Sequence, residues 1–487
     1  MNTPRISIGI SGLDEIVSGG LPERRSYLVV GSAGSGKTIL SLQFLMEGQR
    51  RGERTVYVTL AEPSSDIARD ADSFGWSLDG IEFVDLLSDR GPTGGDEYHV
   101  FRASEVEHVP VWQGIYDTVA RCRPQRLVID SLTHLRFIST DEYQFRKQIL
   151  TLINHLSASG CTSLMTYEPA ELEREAAVGL ATDGVIRLNN TISAGVGAGL
   201  RSVQVEKLRG SDFLSGRHPL RIRPSGIEVH PHWVEQPGRT HPGQVQIPSG
   251  IAALDELLGG GLDSGTTTLL SGPAGVGKSS LGLQFLVRKV AEGGSSVMYT
   301  FEESEDSVLA RSRGIGIPVE DAIRAGRLRI VRVNPIEFYP DEFLGMVRRA
   351  VEQGGVSTVM VDSLRGYELA MEEFGMAKAH IHNLVAYLSG RGVTTVLVSE
   401  VEYITSADLP ITDQGVSHLA DTVLLLRYAE TGGEIIKVVS CLKKRVSGFQ
   451  PELRQLTVDA AGIHVGEKLR HLRGVLSGAP SIQVQRE

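Results

Sequence analysis

"SYLVVGSAGSGKTILSLQFL" occupies residues 26–45. An apolar run ends in a glycine, a loop of small residues follows, and Lys37-Thr38 open a segment whose apolar residues recur at helical spacing. The loop fits G-x-x-x-x-G-K-[ST] in the strand-then-helix setting that gives this pattern its meaning. Gly31, Gly34, Ser35 and Gly36 let backbone N–H groups converge on phosphate oxygens, at the positive end of the helix that follows. Lys37 can reach the outer phosphates as a point charge, and Thr38 offers a small hydroxyl to Mg2+. A strand, a phosphate loop and a helix are therefore expected here, with ATP and Mg2+ as what they hold.

The same order returns at 267–286, "TTLLSGPAGVGKSSLGLQFL", at an offset of 241 residues. Its loop residues are Gly272, Gly275, Val276, Gly277, Lys278 and Ser279. Further on, "RLVIDSL" (126–132) pairs with "TVMVDSL" (358–364), which aligns Asp130 with Asp362. An aspartate ending an apolar strand beside a phosphate loop reads as the acid that positions Mg2+. "VEKLRGS" (205–211) pairs with "SCLKKRVS" (440–447), and "GIEV" (226–229) with "GIHV" (462–465), both at an offset of 236. A repeat this long is a duplicated domain, since solenoid units are far shorter. Between the copies, "PHWVEQPGRTHPGQVQIPSG" (231–250) breaks every periodicity. The expected domains are residues 1–238 and 239–487. Within each, continuous apolar strands alternate with helical stretches, which predicts an α/β fold with a mainly parallel, helix-covered sheet. Each half then closes in a region of shorter strands that looks antiparallel.

Bulk properties exclude other classes. The 487 residues carry 59 acidic against 49 basic side chains, a formal net charge of -10, which argues against a dedicated nucleic-acid binder. Cys122, Cys161 and Cys441 are scattered without metal-ligand spacing. No apolar run has the length of a membrane span and no signal-peptide pattern stands at the start, so a cytoplasmic protein is expected.

The copies differ after their second apolar run. "TLAEPSSDI" (59–67) has Ala61-Glu62 where "TFEESEDSV" (300–308) has Glu302-Glu303. With all these pieces in order, the chain resembles the KaiC family, the double-domain RecA-like ATPases of the cyanobacterial clock. The resemblance spans nearly the whole length and implies two tandem RecA-like P-loop NTPase domains. It implies a homo-oligomer of six subunits with ATP at subunit boundaries, regulatory protein partners, and autophosphorylation in the C-terminal half. Glu302 and Glu303 match the family's paired catalytic carboxylates, with Glu303 also placed toward the metal beside Thr38 and Ser279. In the N-terminal half only Glu62 remains, and hydrolysis there is expected to be impaired. Lys207, Leu208, Arg209 and Ser211 match family residues that approach the neighbouring subunit's nucleotide, as do Lys443, Lys444, Arg445 and Ser447 in the second half. A cation supplied in trans offsets charge on the transferring phosphoryl group. In "ITDQGVSHLADTVLLL" (411–426), Ser417 stands at the family's phosphoacceptor serine, while the adjacent threonine is His418. Two-site cycling is therefore not expected, and single-site phosphorylation of Ser417 stays open. The ending "GVLSGAPSIQVQRE" (474–487) is shorter than that of clock members, so stimulation through a longer tail is not expected. Two other classes share the fold: a DNA-dependent motor or recombinase, and a scaffold that ATP merely holds together.

Overall fold

Runs such as Leu28–Val30 and Leu127–Ile129 have no polar side chain to show to water, so alternate residues must find apolar cover on both faces of a sheet. In the computed structural model they do. It describes residues 4–86, 108–139, 141–170, 176–192, 199–233, 245–334, 339–371, 377–401, 418–431, 433–470, 472–473 and 481–482. The chain divides into two compact units, Met1–Trp233 and Val234–Glu487.

The N-terminal unit has one nine-stranded sheet. Its strands are β1 (Ser26–Gly31), β2 (Thr55–Thr59), β3 (Ile81–Asp85), β4 (Arg126–Asp130), β5 (Thr162–Tyr167), β6 (Gly184–Ile192), β7 (Gly199–Leu208), β8 (Arg217–Arg223) and β9 (Gly226–Val229). Their order across the sheet is β3-β2-β4-β5-β1-β6-β7-β8-β9. The first six run parallel, and β7 to β9 add antiparallel strands. Tyr27 and Val29 of β1 pack on one side with Leu40, Phe44 and Leu45 of α1 (Lys37–Arg50). Leu28 and Val30 pack on the other with Trp112 and Ile115 of α3 (His108–Cys122) and Phe145 and Leu152 of α5 (Glu142–Ala158). Two smaller helices, α2 (Ser64–Ser73) and α4 (Leu132–Ile138), follow β2 and β4, and α6 (Ala176–Ala181) precedes β6. Each such buried side chain contributes about 1.5–3 kcal/mol by leaving water.

The C-terminal unit repeats this plan. Its strands are β10 (Thr267–Gly272), β11 (Ser296–Thr300), β12 (Leu328–Arg332), β13 (Thr358–Asp362), β14 (Thr394–Glu400), β15 (Thr422–Thr431), β16 (Glu434–Lys444), β17 (Leu453–Asp459) and β18 (Gly462–Lys468). The order β12-β11-β13-β14-β10-β15-β16-β17-β18 matches the first sheet strand for strand. Helices α7 (Lys278–Ala291) and α8 (Glu305–Gly314) correspond to α1 and α2, and α9 (Pro340–Glu352), α10 (Leu364–Met371) and α11 (Ala377–Gly390) complete the layers. Met298 and Met360 face α7, while Val297, Val359 and Val361 face Phe343 of α9 and Leu384 of α11.

Both sheets share one irregularity. Val185 pairs with Lys207 but the next residue, Ile186, pairs with Val205, so Glu206 is an extra residue in β7. In β16 the extra residue is Leu442, between Val423↔Lys443 and Leu424↔Cys441. A bulge of this kind changes which face the following residues occupy. In β7 the buried positions run Val203, Val205 and then Leu208.

Candidate nucleotide sites

The parallel strands end together, so Gly31, Thr59, Asp130 and Tyr167 come to one edge of the first sheet, and Gly272, Thr300, Asp362 and Glu400 to one edge of the second. The carboxyl edge of a parallel sheet is where open α/β folds bind ligands. Gly36 and Gly277 cap the first turn of α1 and α7 at φ +105° and +112°, values that only glycine adopts cheaply. Neither helix has a side-chain N-cap, so its first N–H groups are left for a ligand.

At the N-terminal site Lys37 Nζ donates to Gly31 O at 2.7 Å and Ser32 O at 3.1 Å, and pairs with Glu168 Oε1 at 3.0 Å. Thr38 Oγ1 donates to Asp130 Oδ2 at 3.4 Å. Tyr57 Oη and Thr166 Oγ1 each donate to the Asp130 carboxylate at 2.5 Å and orient it. Glu62 is held on its turn by Thr59, whose Oγ1 donates to Glu62 O at 2.5 Å and accepts from Glu62 N at 3.3 Å. Partial burial, then the Asp130, Asp70 and Asp66 carboxylates, push the Glu62 carboxyl up, and His134 acts in the opposite sense.

The C-terminal site opens on a 420 Å3 cavity lined by Gly275, Gly277, Lys278, Ser279, Glu302, Glu303, Arg311, Asp362 and Glu400, among others. Lys278 Nζ donates to Pro273 O at 2.7 Å. Burial pushes its ammonium down against the pull of Glu400, Asp362 and Glu302. Burial likewise raises the Asp362 carboxyl to about 6, opposed by its hydrogen bond from Ser279. Thr300 holds the Glu303 turn with two bonds of 3.1 Å, as Thr59 does in the first copy. Glu302 Oε1 accepts from Ser363 Oγ at 2.8 Å. Glu303 forms a two-oxygen ion pair with Arg311 Nη1, 2.6 Å to Oε2. The residue at the offset of Arg311 in the first copy is Asp70, so the helix after the carboxylates carries opposite charges at the two sites.

These donors fit ATP with Mg2+. A glycine loop and helix end suit phosphates, and a hydroxyl hydrogen-bonded to a strand-ending aspartate (Thr38 with Asp130, Ser279 with Asp362) suits a hard cation. Val276 is fully buried and fixes the second loop by packing.

The basic segments lie apart from these loops within each unit. Lys207 Nζ donates to Gly179 O, Leu180 O and Thr182 O, and Arg209 Nη2 to Leu180 O at 3.0 Å. Lys443 Nζ donates to Ala420 O at 2.6 Å and Arg445 Nη2 to His418 O at 3.1 Å, the same arrangement. Burial and the neighbouring arginine push both lysines down. Lys444 instead points into the fold, bonded to Leu258 O and Gly261 O beside Asp263. Leu208 is buried, Ser211 Oγ accepts from Arg5, and Ser447 Oγ donates to Asp263. Ser417 lies outside the described residues.

Sequence reasoning missed several groups that the folded sites bring in. Glu168 and Glu400 come at matching positions just after an apolar run, so their shared offset of 232 was a usable signal. Ser131 and Ser363 stood in the quoted "IDSL" and "VDSL". Lys437, which reaches Gly275 O at 2.9 Å from β16, had no local signal.

A family model described as "ATPase: KaiC" matches residues 6–234 and again residues 247–470. The chain is 28% identical over 491 residues to the circadian clock protein KaiC3 of Synechocystis sp., covering 99% of this chain and 96% of that protein. It is 29% identical over 495 residues to the circadian clock oscillator protein KaiC of Prochlorococcus marinus strain MIT 9313, with 99% and 96% covered. Against the circadian clock oscillator protein KaiC of Synechococcus elongatus the identity is 27% over 482 residues, with 97% and 91% covered.

Proposed function

Because this chain belongs to the KaiC ATPase family, we propose that it is an ATP-hydrolysing enzyme whose two nucleotide sites divide the work. The observation that carries this reading is Glu302, a carboxylate fixed by Ser363 on the wall of the cavity that also holds Lys278, Ser279 and Asp362. There it orients water, or a seryl hydroxyl, for attack on the γ-phosphoryl group and accepts its proton. Lys278 offsets charge on the outer phosphates. Mg2+, held through Ser279 and Asp362 with Glu303 beside them, would supply the remaining charge neutralisation. The N-terminal site has the loop, Lys37, Thr38 and Asp130 but one carboxylate fewer, and serves assembly more than turnover.

Lys207, Arg209, Lys443 and Arg445 are proposed to meet the nucleotide of a neighbouring subunit in a ring of six, acting in signalling or timing as in the clock relatives. Their ammonium and guanidinium groups rest on main-chain carbonyls in both copies, with Asp421 3.7 Å from Arg445. Ser417 is the proposed acceptor of a single autophosphorylation.

The reading is tested by steady-state ATP turnover of the full chain. Glu302→Gln is expected to lower the total by about tenfold or more, since a proton acceptor contributes about 100-fold or more at its own site and the other site still turns over, and Glu62→Gln by much less. If Glu302→Gln leaves turnover intact while Glu62→Gln removes it, the roles are reversed. Native and tryptic mass spectrometry after incubation with ATP should show a sixfold mass and phosphate on Ser417. A monomer with ATP bound, or phosphate elsewhere only, defeats those two proposals.

A further inference from the structure

The serine after the strand-ending aspartate is present in both copies but holds a different partner in each. At the C-terminal site Ser363 Oγ donates to Glu302 Oε1 at 2.8 Å. At the N-terminal site the glutamate's position is Ala61, and Ser131 Oγ stands 3.1 Å from Nδ1 of His134. His134 in turn corresponds to Gly366, at the same offset of 232 that relates Ser131 to Ser363. The exchange is reciprocal in space. A Cβ at Gly366 would lie 2.5 Å from Phe301 Cβ, which would have to shift, and in ordinary contact, 3.7 Å, with Glu302 Oε1, so a side chain there would border the glutamate. The first copy carries a side chain at that place and has alanine where the bordering glutamate stands. The imidazole is also close enough to Glu62 to be felt by it, opposing the neighbouring carboxylates.

We infer that His134 supplies to the N-terminal site the proton acceptor that Glu302 supplies to the C-terminal one, so that the first site is a rebuilt hydrolase rather than a worn copy. This rests on the ATPase reading above and revises the share of turnover given to the first site. With Nδ1–H donated to Ser131 Oγ, Nε2 keeps its lone pair. The proton of a water passes to Nε2 while its oxygen forms a bond to the γ-phosphorus. The bond from that phosphorus to the oxygen bridging the β-phosphate breaks, ADP and inorganic phosphate leave, and the exposed imidazolium returns its proton to solvent.

The experiment uses the full chain carrying Glu302→Gln, so that the turnover remaining is that of the N-terminal site. Adding His134→Gln keeps a polar group beside Ser131 that takes up no proton. It is expected to cut that remainder by about 100-fold with KM for ATP little changed. His134→Gly is expected to be equally slow and to recover with free imidazole in the buffer, a readout that a structural role would not produce. Ala61→Glu together with His134→Gly installs the C-terminal arrangement and should restore turnover without imidazole. Undiminished turnover in His134→Gln, or no recovery of His134→Gly with imidazole, overturns the inference. So does a Glu302→Gln chain with no turnover at all. In each of those cases the ATPase reading stands as long as the unsubstituted chain hydrolyses ATP.

Discussion

Asp362 ends β13 among groups that disagree about its charge. Burial is the largest influence and lifts its carboxyl to about 6, with Glu303 and Glu302 adding to it, while the Ser279 hydroxyl and Arg311 oppose. A raised carboxyl holds its proton below that pH, and a divalent cation needs the ionised form. Affinity of the C-terminal site for ATP with Mg2+ should therefore fall as pH drops through about 6, and hold steady above it. Calorimetric titration of a Lys37→Ala chain, between about pH 7.5 and about pH 5, reads this out. Asp362→Asn should weaken binding and flatten the slope; an unchanged slope would assign the titration to another group. The place of Asp362, at the end of β13 on the edge that carries the phosphate loop, was legible from the apolar run before it. Its ion-paired surroundings were not, since Arg311 reaches Glu303 only after α8 has wound two turns past it.

At the scale of elements, β4 begins with Arg126, and a strand-opening arginine ordinarily reaches water. Here it is fully buried, 0% exposed. Its guanidinium donates to Glu53 Oε2 at 2.5 Å, Ser7 O at 2.7 Å and Phe44 O at 2.8 Å, and lies 4.7 Å from the Phe44 ring centre. One side chain thus ties the start of the chain, α1 and the turn before β2 to the middle of the sheet. Removing its carboxylate strands a buried charge, which costs about 3–5 kcal/mol. Glu53→Ala should lower the melting temperature of the N-terminal unit by many degrees and leave the C-terminal unit unmoved. Differential scanning calorimetry with two resolved transitions checks this, and a shift of both transitions together would refute it. Apolar strands, the glycine loops and the helices after them were readable because period and composition agree there. Buried arginine was invisible, because two of its partners are main-chain carbonyls that no residue letter encodes and the third, Glu53, stands 73 residues earlier in the chain.

For the whole molecule, the duplication was plain in the sequence and the strand order was not. Sequence offsets align elements without saying which strand lies beside which; only the register of β1 between β5 and β6 does that. The two units share their sheet plan, their loops and their threonine-held turns, and differ at positions around the proposed nucleotide sites: Ala61 against Glu302, His134 against Gly366, Asp70 against Arg311. Among the described helices none is long and apolar enough to cross a membrane.

The extra residue in β7 and β16 also sets what kind of change each unit can absorb. Up to the bulge, alternate side chains face the core; past it, the alternation has been advanced by one, which is why Leu208 and Lys444 are the inward residues that follow Val205 and Cys441. Lys207 and Arg209 owe their outward aspect to that single step. Substitutions along these strands alter one side chain apiece, but losing or gaining one residue would turn the whole basic segment over. Length, more than letter, is the inherited quantity here. Offsets between the halves drift by several residues through the loops, yet hold at 236 from Val205 to Val229, across three strands whose residues have largely been replaced.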